Sequence, residues 1–176
     1  MKRYQKSNGK EPEPTMTEDE RYEQMLRMPA EEKAEILRRM IKPSLENACK
    51  IIEASGQKPE DYTPPTRKWV AAMIYGMLLA MSAENIGYCE PRWTNVMFAT
   101  IANKYLLLGK MESVDYMSEL TEQFDKQNPK YDVNIAQLVH KGIDAYFCLD
   151  RPEYLAEGVR QILQAYSEAL GRGEIR

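Results

Sequence analysis

Charged residues are scarce in one stretch of the chain, residues 69–109, and dense on both sides of it. Within that stretch the segment WVAAMIYGMLLAMSA is apolar on nearly every side of a helix, so it must be surrounded by protein or lipid. We predict two helices here, at residues 67–85 and 92–108, joined by a short loop at residues 86–91. This apolar helix pair is expected to form the centre of the molecule.

The flanking segments carry apolar residues three or four positions apart, with charged residues between them, which is typical of amphipathic helices. Each should turn one face toward the central pair. The sequence therefore predicts an all-α fold, a single-domain bundle of about seven or eight helices. The predicted apolar faces include Tyr22, Met25, Leu26, Ile36, Leu37, Met40, Ile41, Leu45, Ala48, Ile52, Val114, Met117, Leu120, Phe124, Ile135, Leu138, Val139, Tyr146, Phe147, Leu155, Val159, Ile162, Leu163, Tyr166 and Leu170.

Capping patterns predict where several helices begin. Thr17 and Glu20 have the spacing of a capping box. Thr66 is the expected cap of the central helix, and Ser113 that of the helix after Gly109.

Pro43 interrupts an apolar pattern without shifting its phase. Either one helix kinks at this proline, or two helices meet there with Ser44 as a cap.

The central helix carries Met73, Met77 and Met81 at intervals of four residues, with Trp69 in register. A methionine stripe can be an adaptable peptide-binding surface, but the surrounding apolar residues favour plain core. Gly76 lies in mid-helix, where glycine costs about 1 kcal/mol relative to alanine. A close helix–helix crossing at Gly76 would explain its presence.

Two junctions in the second half of the chain can be overlaid. YLLLGKME at residues 105–112 and YFCLDRPE at 146–153 both indicate a helix, a tight turn and a new helix. They are loosely similar to tetratricopeptide or pentatricopeptide hairpins, but the 41-residue offset exceeds the usual repeat of about 34. We therefore expect two C-terminal helical hairpins, loosely repeat-like, packed on the central apolar helix pair.

The termini are expected to lie outside the single helical domain at residues 17–171. Residues 1–16 are rich in Lys, Glu, Gly, Ser and Pro and predict a flexible tail, with a short charged tail at 172–176. The N-terminal tail either contacts an acidic partner or is solvated. Its basic residues are Lys2, Arg3, Lys6 and Lys10.

Charge and cysteine content limit the class of protein. The formal net charge of -3 argues against nucleic acid and anionic membranes as partners. Cys49, Cys89 and Cys148 are odd in number and widely separated, which fits free thiols in a reducing compartment. Residues 1–16 lack the apolar core of a signal peptide. We expect a cytoplasmic protein.

A membrane helix is not expected. Residues 69–83 form the longest uncharged apolar run, only fifteen residues, whereas a spanning helix needs about 20. If the other helices leave one side of this helix uncovered, that side would require a second copy, so the sequence favours a homodimer.

In the loop at residues 86–91 and the start of the following helix, aromatic, thiol, acidic and basic side chains lie closer together in sequence than elsewhere in the chain. The candidate interaction residues are Tyr88, Cys89, Glu90, Arg92 and Trp93. Tyrosine, arginine and tryptophan dominate binding hot spots, and Arg92 would favour the thiolate of Cys89. The alternative is a loop held against the core by its aromatics, with Glu90 and Arg92 paired at its edge.

No catalytic constellation is found. The chain has no glycine-rich phosphate loop, no Cys-x-x-Cys, no Gly-x-Ser-x-Gly and no His-Glu-x-x-His. His140, the single histidine, lies in an amphipathic helix and is expected to be a structural or surface residue rather than a general base. We predict no enzyme activity, no cofactor and no metal site.

These features predict a small cytoplasmic helical protein–protein interaction module, an adaptor, inhibitor or regulator of the kind that accessory proteins of bacteria and mobile elements provide. The alternative is a nucleic-acid-associated regulator that uses the basic tail or a helix-turn-helix. A third hypothesis is a small-molecule-binding helical protein or enzyme. Its cavity would be lined by Trp69, Tyr75, Tyr88 and Trp93.

Overall fold

A computed structural model describes residues 17–175 of the chain, apart from the side chain of Glu18. These residues form eight α-helices and contain no β-strand, which confirms an all-α, single-domain helical bundle. The helices are α1 (Glu18–Arg27), α2 (Ala30–Arg39), α3 (Ile41–Ala54), α4 (Pro64–Ile86), α5 (Pro91–Tyr105), α6 (Lys110–Phe124), α7 (Val133–Tyr146) and α8 (Pro152–Gly171), with a short 3-10 turn at Pro59–Asp61 before α4.

Helix α4 occupies the centre of the bundle. Every residue from Trp69 to Ser82 is buried, and the methionine stripe belongs to the core as predicted. Helix α4 packs most extensively on α7, with α3 and α5 on its other sides.

The crossing of α4 and α7 depends on two glycines. A Cβ atom placed on Gly76 would lie 1.9 Å from the carbonyl oxygen of Val139 in α7. A Cβ atom on Gly142 would lie 1.9 Å from the carbonyl oxygen of Met73 in α4. The close crossing predicted at Gly76 is confirmed, and its partner position is Gly142.

The remaining helices form an outer layer. Helix α6 packs on α5, and α8 packs chiefly on α3 rather than on α7, to which a tight turn joins it. Two tyrosines tie this layer to its neighbours: the hydroxyl of the buried Tyr116 in α6 donates to the carbonyl oxygen of Lys68 in α4 at 2.8 Å. Tyr166 in α8 likewise donates to the carbonyl oxygen of Asn134 at 2.8 Å.

Two predicted helix caps are wrong and one is right. Thr17 and Glu20 form the capping box at α1. Helix α4 is capped by Thr63, not Thr66, because Pro64 and Pro65 fit the first turn, where a missing N–H costs nothing.

Ser113 does not cap α6, which begins at Lys110. The carboxylate of Glu112 accepts a hydrogen bond from the N–H of Gly109 at 3.2 Å. Ser113 is buried instead, and its hydroxyl donates to the carbonyl oxygen of Gly109 at 2.8 Å.

Helix α5 ends at Tyr105, three residues before the predicted end. Leu107 adopts a left-handed backbone conformation with φ of 57°, which ends the helix and leaves its side chain exposed between the buried Leu106 and Leu108.

The question raised by Pro43 is resolved in favour of two helices. They meet at Met40, so Pro43 lies in the first turn of α3, where it removes no intrahelical hydrogen bond. Ser44 is not a cap: its hydroxyl donates to the carbonyl oxygen of Met40 at 2.6 Å.

Some predicted apolar faces are not buried. Tyr22 and Leu26 of α1, Val114 of α6 and Phe147 after α7 are exposed, Tyr22 to 50 % and Phe147 to 62 %. Helical periodicity places these residues on one side of a helix, but the neighbouring elements do not extend over them.

Helix α4 is the one helix among residues 17–175 that is long and apolar enough to cross a membrane, and 83 % of its most apolar window is buried by protein. The core helix of a globular bundle has the same properties. Since Trp69–Ser82 is covered within one chain, the uncovered side that favoured a homodimer is absent from the described structure. The four basic residues of the N-terminal tail lie outside the described residues.

Candidate binding surfaces

The interaction loop predicted at residues 86–91 is residues 87–90 between α4 and α5 in the structure, and it is anchored by the tryptophan that follows it. The indole Nε1 of Trp93 donates to the carbonyl oxygen of Leu37 in α2 at 3.1 Å, and the ring is half-buried against the core. Trp93 therefore joins the start of α5 to α2.

Tyr88 contacts the N-terminal helices. The ammonium of Lys33 lies 5.0 Å from the centre of the Tyr88 ring, and it also donates to the carbonyl oxygen of Leu26 at 3.1 Å. Gly87 has φ of 81°, and a Cβ atom placed there would lie 3.0 Å from the Cβ of Met25. Helix α1 thus covers one side of the loop.

Glu90 has a local structural role. Its carboxylate accepts a hydrogen bond from the backbone N–H of Arg92 at 3.3 Å and caps α5, and its own N–H donates to the hydroxyl of Ser82 at 3.2 Å. The expected Glu90–Arg92 side-chain pair is replaced by this backbone contact. The Arg92 side chain is exposed.

Cys89 is exposed as a residue, but its sulfur points back toward the carbonyl oxygen of Leu79 at 3.7 Å. Desolvation raises the pKa of the Cys89 thiol above its ordinary value. The expectation that Arg92 favours the thiolate is therefore wrong. Of the five candidate residues, Cys89 and Arg92 are exposed, and their role in binding stays a prediction.

A second surface, which was not predicted from the sequence, is a cleft between α7 and α8 that we call the α7–α8 cleft. It has a volume of about 420 Å³ and is open to solvent. It exists because α8 packs mainly on α3, so α7 and α8 diverge after their tight turn. Its lining is Met73, Lys141, Asp144, Ala145, Cys148, Tyr154, Leu155, Glu157, Gly158, Val159, Gln161 and Ile162.

The lining of the cleft combines an apolar interior with a polar rim. Met73, Leu155 and Val159 are buried residues of the core that reach the cleft. Tyr154 stands at its edge with 68 % of its surface exposed. An exposed aromatic side chain beside apolar side chains is typical of the hot spots of protein-binding surfaces.

Gly158 is an unusual residue for its position. It lies in the middle of α8, where glycine is unfavourable by about 1 kcal/mol relative to alanine. Unlike Gly76 and Gly142, it is not required by helix packing, because a Cβ atom placed there would have no neighbour within 4 Å. Its missing side chain leaves space in the cleft. The signal in the sequence that could have indicated this site was a glycine inside an amphipathic helical pattern.

A second, more polar cleft of about 520 Å³ lies between the end of α3 and α8, beside Arg160 and Ser167. The four aromatics predicted to line a ligand cavity line neither cleft; Trp69 packs edge-to-face on Tyr166 and Tyr75 on Phe98, both at 5.6 Å.

Residues 17–175 contain no group of three or more His, Cys, Asp or Glu side chains that could hold a metal ion. Glu119 pairs with Lys68 at 3.7 Å and Glu122 with Lys130 at 2.7 Å. His140 is exposed and packs against the ring of Phe124 at 5.5 Å.

Compared with known protein families, curated proteins and solved structures, the chain has no significant match. Function is therefore inferred from the residues and their geometry.

Proposed function

We propose that the protein is a small helical protein–protein interaction module and that the α7–α8 cleft is its main binding surface. The observation that carries this proposal is Gly158, a helix-destabilising residue that lines the cleft and is not needed for helix packing. Glycine at this position lowers the stability of α8 but leaves the cleft open. A group from another molecule that binds in the cleft would explain why glycine is present.

The shape of the cleft favours a segment of a partner protein over a small molecule. Small-molecule sites bury about 70–90 % of the ligand surface. This cleft is open along one side and continues into an exposed aromatic rim at Tyr154. Such a surface fits apolar side chains that project from a partner helix or loop.

The test compares partner capture from native lysate by wild-type protein and by two leucine variants. Gly158→Leu places a side chain in the cleft, and Gly171→Leu is the matched control. Gly171 also lies in α8 and also has no neighbour within 4 Å of a Cβ position, but it lines neither cleft. Both variants should fold, because leucine is the better helix former at each position.

We expect one protein to co-purify with wild type and with Gly171→Leu but not with Gly158→Leu. A partner that all three retain but Arg92→Ala loses would instead assign binding to the surface formed by the loop at residues 87–90 and the start of α5. Capture of no specific protein by folded wild type would contradict the proposal of an interaction module.

A further inference from the structure

The α8 side of the α7–α8 cleft carries negative charge without compensation. Glu153 and Glu157 are exposed and four residues apart, so they are neighbours on one face of α8. Glu157 lines the cleft, and its carboxylate accepts a hydrogen bond from the amide of Gln161. Within residues 17–175 neither glutamate forms an ion pair.

The α7 side of the cleft is electrically balanced. Lys141 and Asp144 both line it and pair with each other at 3.3 Å. Of the charged residues that line the cleft, Lys141 and Asp144 balance each other, and Glu157 leaves one negative charge without an ion-pair partner, with Glu153 one helical turn away on α8.

We infer that the occupant of the α7–α8 cleft is a basic amphipathic helix of a partner protein, with apolar residues that enter the cleft above Gly158 and lysine or arginine residues that face Glu153 and Glu157. This inference rests on the proposed function of the cleft. Apolar anchors supply affinity in such grooves, whereas charge complementarity supplies selectivity and a faster association rate.

The structure also indicates which charge the partner must not carry. An acidic helix of the same shape would place its carboxylates beside two uncompensated glutamates, and like charges across an interface disfavour binding. The selectivity for a basic helix should weaken as salt is raised, because the glutamates are exposed and screened by ions.

The experiment uses two labelled synthetic helical peptides of equal length and leucine spacing, one leucine–lysine and the other leucine–glutamate. Binding to the full chain is measured by fluorescence anisotropy at low and at high salt. The protein variants are Glu153→Gln/Glu157→Gln for the charge, Gly158→Leu for the cleft, and Gly171→Leu as the cleft control. Glu31→Gln/Glu32→Gln, on α2, removes the same charge from exposed positions that do not line the cleft.

We expect the lysine peptide to bind more tightly than the glutamate peptide. Its Kd should rise about two- to thirtyfold in Glu153→Gln/Glu157→Gln, the range for two exposed ion pairs. It should change much less in Glu31→Gln/Glu32→Gln. Gly158→Leu should weaken binding more than tenfold, and Gly171→Leu should leave it unchanged.

Three contrary results are distinguishable. The first is binding that Gly158→Leu abolishes but that is equally tight for both peptides, or that changes equally in Glu153→Gln/Glu157→Gln and in Glu31→Gln/Glu32→Gln. This result overturns the basic-helix inference and leaves the cleft as a binding surface. Binding that ignores Gly158→Leu overturns both. If gel filtration with light scattering shows a dimer that Gly158→Leu alone dissociates, the occupant is a second copy and the basic-helix inference is wrong.

Discussion

Gly76 of α4 and Gly142 of α7 make the central helix crossing reciprocal, since each lies against a backbone carbonyl group of the opposite helix. The distances from their Cβ positions to the carbonyl oxygens of Val139 and Met73 are both 1.9 Å. Backbone atoms cannot move aside as a flexible side chain can, so a methyl group at either position must separate the helices.

We therefore expect Gly76→Ala and Gly142→Ala each to lower the free energy of unfolding by about 1–3 kcal/mol or more. This loss remains after the gain of roughly 1 kcal/mol that alanine brings in helix propensity. The double variant should lose less than the sum, because the first methyl group already separates the helices. Urea denaturation measures all three. Gly158→Ala is the control and should stabilise by about 0.5–1 kcal/mol.

Trp93 should stabilise the contact between α5 and α2 through its indole N–H. Trp93→Phe removes the hydrogen bond to the carbonyl oxygen of Leu37 while keeping an aromatic ring, and should cost about 0.5–1.5 kcal/mol. Arg92→Ala, one residue away and exposed, should change stability by less than about 0.5 kcal/mol. Equal effects in chemical denaturation would mean that the hydrogen bond contributes nothing.

Tyr116 should make stability depend on alkaline pH. Burial raises the pKa of Tyr116 above its ordinary value of 10.0, with a smaller contribution from Glu119. The folded state therefore keeps the phenol proton at a pH where the unfolded state loses it. The resulting stability is fully present below about pH 10 and is lost as pH rises above that value.

Unfolding measured by urea at several pH values above 10 should show a shallower loss of stability in Tyr116→Phe than in wild type. The difference in slope should approach about 1.4 kcal/mol per pH unit, the value for one proton. At neutral pH the variant loses only the hydrogen bond to Lys68. Parallel curves across this range would mean that the phenol ionises equally easily in both states.

Cys89 should react slowly with alkylating reagents. Its raised pKa keeps it protonated at neutral pH, and the thiolate is the nucleophile. Peptide mapping after brief iodoacetamide treatment should show less modification of Cys89 than of the same cysteine in a short unstructured peptide, with a rate that rises well into alkaline pH. A rate that is already maximal at neutral pH would instead indicate a thiolate stabilised by Arg92.

Helix α1 should be the first helix to open. All described side chains from Thr17 to Gln24 are exposed, and the helix is held mainly through Met25 and Leu26 near Gly87. Hydrogen exchange followed by mass spectrometry should show rapid exchange in α1 and strong protection in α4, because local opening is easiest where little apolar surface is buried. Comparable protection of the two helices would contradict this.

Local sequence determined the elements that depend on neighbours along the chain. The capping box of Thr17 and Glu20 follows from spacing alone. The burial of α4 follows from its uncharged run, because no side of that helix could remain in water. Gly76 indicated a close helix crossing, because glycine lowers helix stability and a close contact would compensate for that loss.

Only the tertiary structure decided which surfaces meet. An apolar helix does not specify its neighbours, so the pairing of Gly76 with Gly142 was invisible in either segment. The sequence left open whether Tyr88 and Trp93 were available for binding or held the loop against the core, whereas in the structure Trp93 is hydrogen-bonded to α2 and Tyr88 contacts Lys33. The α7–α8 cleft arises because α8 packs on α3 and diverges from α7. This packing joins segments that are far apart in the chain, and the apolar periodicity of α8 does not show which helix it packs on.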